Sequence, residues 1–339
     1  MDHGKVYGEN LYDFICTYGI FFAPLHTLYK TFFMKKFYSI FSVFLLVTAS
    51  LSAQTNNNSD TLHICDYDDL DLVDASGAIL AEFSVSDSTK VYFSQGNLQY
   101  QASTGTWRFA EHQWDFVGDS INGNVYENGV KSDNLKISPT YDGWIDLFGW
   151  GTSGYNGKNP YMTSTGYSDY GDGTNDIAGT NYDWGVYNKI SNGGNQAGMW
   201  RTLTSSEWNH LISGRAQANR LMGQGKVNNV NGLILLPDSW ATETPSSVRF
   251  TYDPGNYSTN VYSLDEWAVM QSYGAVFLPA AGYRNGTGVY DVGSYGNYWS
   301  GSANYYYYAY CLDFYSYYVG TGNYYRLSGQ SVRLVQDVK

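Results

Sequence analysis

From Ala81 onward apolar and polar positions alternate along the chain. Phe83 and Val85, then Val91 and Phe93, form two period-two runs split by Ser86-Asp87-Ser88-Thr89, the pattern of a β-hairpin. A second hairpin is predicted where Leu98-Gln99-Tyr100 and Trp107-Arg108-Phe109 flank the turn residues Ser103-Thr104-Gly105. Residues 118–200 then lose sustained periodicity and fill with Gly, Asn, Asp, Ser and Tyr. Loops of that length are functional or packed by their own aromatics, and Trp144, Phe148, Trp150 and Trp184 are the available anchors. The clearest helix start is Thr204, which with Glu207 three residues on makes a capping box. Trp208, Leu211 and Ile212 follow at helical spacing, and Gly214 stops the run. Residues 232–237 and 274–279 read as buried strands ending at proline, with a short helix over 263–271 between them whose first turn carries Asp265 and Glu266. Beyond, glycine turns alternate with short aromatic strands as far as 331–335. Hairpins, long loops, a capped helix and further strands predict an α+β chain with a mainly antiparallel sheet. No change of composition divides it after residue 80, so one domain is expected over 81–339.

The upstream region follows other rules. Met34-Lys35-Lys36-Phe37 is a basic start, Ile40 to Val47 is mostly apolar, and Leu51-Ser52-Ala53 is a small-residue cleavage signal before Gln54. Those three parts make residues 34–53 a secretory signal peptide, too short to span a bilayer and without a stop-transfer pattern after it. Residues 1–33 then read as a non-native upstream extension, with translation starting at Met34. Residues 54–80 are polar and acidic and read as a flexible leader. Its run Cys65 to Asp74 lacks the glycine turn of a calcium loop and puts Leu70 at a ligand position. The expected location is therefore periplasmic, cell-surface or extracellular.

Charge narrows the partners. The chain carries a formal net charge of −12. Four Lys and three acidic residues fall within 1–53, leaving 15 basic against 28 acidic residues in the rest, a balance of −13. Such a surface repels phosphate backbones and gives an anionic membrane nothing to hold, so nucleic acid is not an expected partner, and with no stop-transfer pattern after residue 53 no membrane-spanning segment is expected either. Beyond residue 53 there are two cysteines, Cys65 and Cys311, and three histidines, His63, His112 and His210, far apart in sequence. That is too sparse for a zinc site, and no metal or other cofactor is expected. No G-x-S-x-G nucleophile elbow occurs, and Ser153 sits in Gly151-Thr152-Ser153-Gly154 with the wrong spacing. The carboxylate pairs Asp142 with Asp146 and Asp169 with Asp172 have glycosidase-like composition but read first as solvated loop acids.

Three segments carry a family resemblance. Trp200-Arg201-Thr202-Leu203-Thr204-Ser205-Ser206-Glu207-Trp208 resembles the helix start of the formylglycine-generating-enzyme branch of the C-type-lectin-like fold. Tyr298-Trp299-Ser300-Gly301-Ser302 and Gly329-Gln330-Ser331-Val332-Arg333-Leu334-Val335 look like its tyrosine-tryptophan-serine-serine segment and closing strand. Within that branch, residues 81–335 are most similar to the Fibrobacter succinogenes major paralogous domain and to the variable proteins that retroelements diversify in gut bacteria and their phages. The resemblance implies a C-type-lectin-like fold, with ligand contact near the chain's end. The chain departs from the enzymes, whose reactive cysteine pair is reduced here to Cys311, and from calcium-dependent lectins, whose glutamate-proline-asparagine and tryptophan-asparagine-aspartate motifs are absent.

Residues 285–330 hold 13 of the 34 tyrosines, and a core cannot easily absorb the four consecutive ones at 305–308, of which at least alternate ones face outward in a strand and most in a loop. Tyrosine gives a large contact area with two torsions to freeze, and Ser, Gly and Asn beside it supply adaptable hydrogen bonds. The expected ligand-binding residues are Asn297, Asn304, Tyr305, Tyr306, Tyr307, Tyr308, Cys311, Asp313, Tyr315, Ser316, Tyr317, Tyr318, Tyr324 and Tyr325. Tyr295, Tyr298 and Tyr310 read as packing residues, and Trp208 and Trp299 as core. Changing only the first two bases of an asparagine codon reaches Tyr, Ser, Asp, Gly, His, Phe or Cys. Asn304 to Tyr308, Tyr310, Cys311, Asp313 and Tyr315 to Tyr318 all belong to that set, as diversification by a retroelement implies. The expected function is non-catalytic recognition of a protein or glycan. An extracellular enzyme on the same fold, or a carbohydrate-binding module acting by aromatic stacking, is the alternative.

Overall fold

The computed structural model describes residues 73–117, 126–127, 130–131, 137–253 and 255–339. The expected signal peptide (34–53), the extension expected ahead of it, most of the expected leader and Cys65 lie outside these residues. Strands dominate, with a few short helices, an α+β arrangement. No helix among the described residues is long and apolar enough to cross a membrane.

Both predicted hairpins form. Ala78–Ser84 pairs antiparallel with Lys90–Ser94, and Leu98–Gln101 with Thr106–Phe109. The first strand begins at Ala78, inside the stretch expected to be flexible. Ala78 and Ile79 are fully buried, and Val73 already bridges Ile79. A strand near the chain's end, Val335–Asp337, pairs with the other edge of Lys90–Ser94 and closes a three-stranded sheet. Of the predicted closing segment 329–335, Val335 alone joins this ladder. Gln330 and Ser331 make single bridges to Phe148 and Tyr298.

Three helices matter. Helix α1 (Trp184–Tyr187) is capped by the Asp183 carboxylate, which accepts from the Gly185 N–H. Helix α2 (Ser205–Asn209) starts in the predicted capping box and runs on as a wider turn through His210–Gly214. Arg201 braces it, donating to Glu207 at 2.7 Å and to Asp337 at 2.6 Å. Helix α3 (Leu264–Ser272) has a second capping box, Ser263 with Glu266.

A four-stranded sheet in the order 260–262, 222–227, 230–235, 276–279 is antiparallel except for its outer pair, where Asn260–Tyr262 runs parallel to Met222–Val227. The core divides into clusters. One gathers Phe83, Phe93, Trp208, Leu233, Leu278, Tyr298, Leu312 and Phe314. Another gathers Trp107, Phe148, Trp150, Trp184, Trp200, Trp299 and Cys311, so the long loops are indeed packed by their tryptophans. Arg284, Arg326 and Arg333 are almost wholly buried. They donate mainly to backbone carbonyls: Arg284 to Leu147, Met162 and Gly286, Arg333 to Phe277. Burial pushes Arg284 and Arg333 down to about 10.

The candidate ligand-contact surface

The tyrosines lie on a three-stranded antiparallel sheet, Tyr295–Asn304, Tyr308–Tyr315 and Tyr318–Tyr325, with the last strand at its edge. Register decides what each residue faces, because residues directly opposite share a face. On one face Tyr298, Leu312 and Phe314 meet helix α2 and are buried. On the other, three rows cross the sheet: Tyr295, Tyr315 and Tyr318; Asn297, Asp313 and Gly320; Trp299, Cys311 and Gly322.

The exposed rings sit at the two turns. In the first, Tyr305 is 86% exposed, Tyr306 48% and Tyr307 50%, with Asn304 and Tyr308 at its base. In the second, Tyr317 is 86% exposed, beside Ser316 and Tyr318. The eight-residue strand between them spans roughly 25 Å. The surface is therefore two tips at opposite ends of the central strand Tyr308–Tyr315, flanked by the edge strand, where the sequence suggested one patch.

Backbone contacts pin each tip. The Arg326 guanidinium donates to the carbonyls of Tyr305 at 2.9 Å and Tyr308 at 3.0 Å, and also to that of Gly173. Its plane lies over Trp150, 4.3 Å from the ring centre, and its backbone N–H donates to Tyr307 O at 3.0 Å. The second tip is held by buried Gln224, whose Nε2 donates to Tyr315 O at 2.5 Å and Tyr318 O at 3.1 Å, and by the Tyr317 N–H on Gly255 O. None of these contacts uses a tyrosine side chain. Tyr305 and Tyr317 both adopt left-handed backbone, φ 53° and 74°, which a bulky residue enters only at a cost.

The remaining rings stack. Tyr308 lies against Tyr325 at 4.6 Å, and Tyr167 meets both Tyr307 and Tyr325. Tyr295, Tyr315 and Tyr318 form a ladder with centroids 4.7 and 5.1 Å apart. Tyr324 is half-buried and faces Tyr283.

Two expected contact residues are not at the surface. Cys311 is fully buried because its row turns it onto Trp299 in the tryptophan cluster, and burial pushes its thiol well above the ordinary value. It is a free cysteine. Asn297 is also fully buried, under the same face. Asp313, beside it, is half-buried and is pushed up to about 6 by desolvation.

Sequence reading missed Arg326, Gln224, Tyr167 and Tyr283, all brought in from a distance. Arg326 alone left a signal, as the only basic residue between Arg284 and Arg333.

Elsewhere, a depression of about 640 Å³ lined by Leu80, Glu82, Lys90, Asp238 and Tyr273 lies apart from the tyrosines. Among the described residues no group of three or more His, Cys, Asp or Glu converges as a metal site would require. Set against protein-family models, curated proteins and solved structures, the chain matches none.

Proposed function

We propose that this chain is an exported, non-catalytic binding protein of the C-type-lectin-like fold, and that the two tyrosine tips and the edge strand beside them contact a protein or glycan ligand. One observation carries this reading. Four of the most exposed large side chains, Tyr305, Tyr306, Tyr307 and Tyr317, stand on turns whose backbone is clamped independently of them. A rigid support with interchangeable aromatic tips is what a recognition surface needs, because the ordering cost is met before the ligand arrives. The same arrangement supports diversification, since the clamps leave the side chains at 305–307 and 316–317 free to change.

The protein test is selection of the purified chain against a random peptide display library and a glycan array. Replacing Tyr305, Tyr306, Tyr307 and Tyr317 by Ser is expected to weaken any selected binder at least tenfold at unchanged melting temperature. Binders indifferent to all four would end the proposal. The genetic test is the flanking DNA. Codons at the diversified positions are expected to end in C or T, with an asparagine-rich template repeat and a reverse transcriptase gene nearby.

A further inference from the structure

Between the two tips the sheet carries a row of polar groups with nothing to bond. Asn297 is fully buried and neither its amide oxygen nor its nitrogen has a partner. Directly opposite, the Asp313 Oδ1 is shielded and also unpartnered. Gln330, fully buried, lies behind this row and reaches the Cys311 thiol. A buried polar atom without a partner costs about 1–3 kcal/mol, so two such side chains facing each other require a physical reason.

The surroundings supply one. The edge strand presents Tyr318, Gly320, Gly322 and Tyr324 to this face, two tyrosines bracketing two part-exposed glycines. Tyr318 folds back over Gly320, its hydroxyl 2.3 Å from where a Cβ would stand. Gly322 is open, and a Cβ there would meet only the Asp313 side chain, nearest at 3.4 Å to Oδ2. The result is a notch about one side chain wide, with the Asp313 carboxylate on its wall and Tyr318 and Tyr324 at its ends. Tyr257, Tyr295, Cys311, Tyr318 and Tyr324 are the titratable groups that face this carboxylate or one another here, and burial raises Tyr257, Cys311, Tyr318 and Tyr324 further toward their neutral forms. No Lys or Arg among the described residues pairs with Asp313.

The geometry points to an organic-cation site: the notch formed by Asp313, Gly322, Tyr318 and Tyr324, backed by Asn297, receives an alkylammonium or guanidinium group, the tip of a Lys or Arg side chain on the partner protein. A half-shielded carboxylate lacking a counter-charge, flanked by phenol rings, is complementary to such a group through charge and cation–π attraction together. A neutral sugar hydroxyl satisfies the carboxylate less well and gains nothing from the ring faces as cation acceptors. This assignment rests on the binding role proposed above and gives it a ligand chemistry.

The test is titration of the full chain, labelled at glycine with ¹⁵N, with n-butylammonium, methylguanidinium and methyl α-glucoside. The two cations are expected to shift the Gly320 and Gly322 amides. Affinity is expected to fall roughly tenfold from pH 7 to pH 5 as Asp313 takes up its proton. D313N is expected to lose at least tenfold in affinity while melting higher. G322V, which fills the notch with a β-branched residue suited to a strand, is expected to lose binding with the carboxylate intact. Absence of shifts, equal affinity in D313N and G322V, or a stronger response to the glucoside would overturn the cation site. Tip-dependent binders from the display library would in that case still stand, so the two failures are separable.

Discussion

Tyr305 and Tyr317 are the residues where local preference and position conflict most. A left-handed backbone costs an ordinary L-residue about 1–2 kcal/mol, and asparagine tolerates it best after glycine. Tyr305→Asn and Tyr317→Asn are therefore each expected to stabilise the fold by about 0.5–1 kcal/mol, read as a melting temperature higher by about 2 °C. Destabilisation instead would show that the rings pack in ways their exposure hides. Asp313 behaves oppositely to a salt-bridged acid. Its folded value, near 6, lies above the ordinary carboxylate range, so the folded state holds the proton more tightly. The stability this adds is complete below about pH 4 and is lost as pH rises through 6. Asp183, fully buried and also raised to about 6 by desolvation, acts in the same direction. Denaturant midpoints are expected to rise from pH 7 toward pH 5, and D313N is expected to flatten part of that slope.

Among the elements, the two hairpin turns owe their shape to side chains outside them. Arg326→Met keeps the volume but strands the carbonyls of Tyr305, Tyr308 and Gly173, at a cost of about 3 kcal/mol. Amide exchange is expected to accelerate over 304–308 more than elsewhere. Uniform acceleration would mean that the arginine supports the whole fold and not the turn. Helix α2 is a simpler case. Its capping box and its brace to Asp337 are both local or charge-driven, and Thr204→Ala is expected to cost about 1–2 kcal/mol by chemical denaturation. This contrast explains what could be read in advance. Hairpin signals, the capping box at Thr204–Glu207 and the alternation around Phe83 and Val91 are short-range, and each element formed where its pattern fell. Burial of Asn297 and Cys311 was not legible, since it depends on which face of a strand meets the tryptophan loops. Nor were the clamps, because Gln224 and Arg326 reach their turns across 91 and 21 residues. The division into two tips follows from a strand length that tyrosine counting alone does not give.

For the molecule as a whole, support and display are assigned to different parts. The tryptophan clusters, the interior arginines and the bracing of α2 make a framework that no exposed tyrosine enters. A library randomising 305–307, 316 and 317 among Tyr, Ser, Asp, Asn and Gly is accordingly expected to retain its fold, most members melting within a few degrees of the parent. Widespread loss of folding would tie the tips to stability and weaken the case for diversification. Another property lies in the sheet that joins the domain's first strand to Val335–Asp337. Both outer strands run antiparallel to Lys90–Ser94, so they are parallel to each other. The polypeptide enters this sheet beside Ser94 and leaves it beside Lys90, where the Val338 N–H still donates to the Lys90 carbonyl. A load applied along the chain therefore pulls these strands lengthwise past their neighbour, stressing the ladder bonds in concert and not one after another.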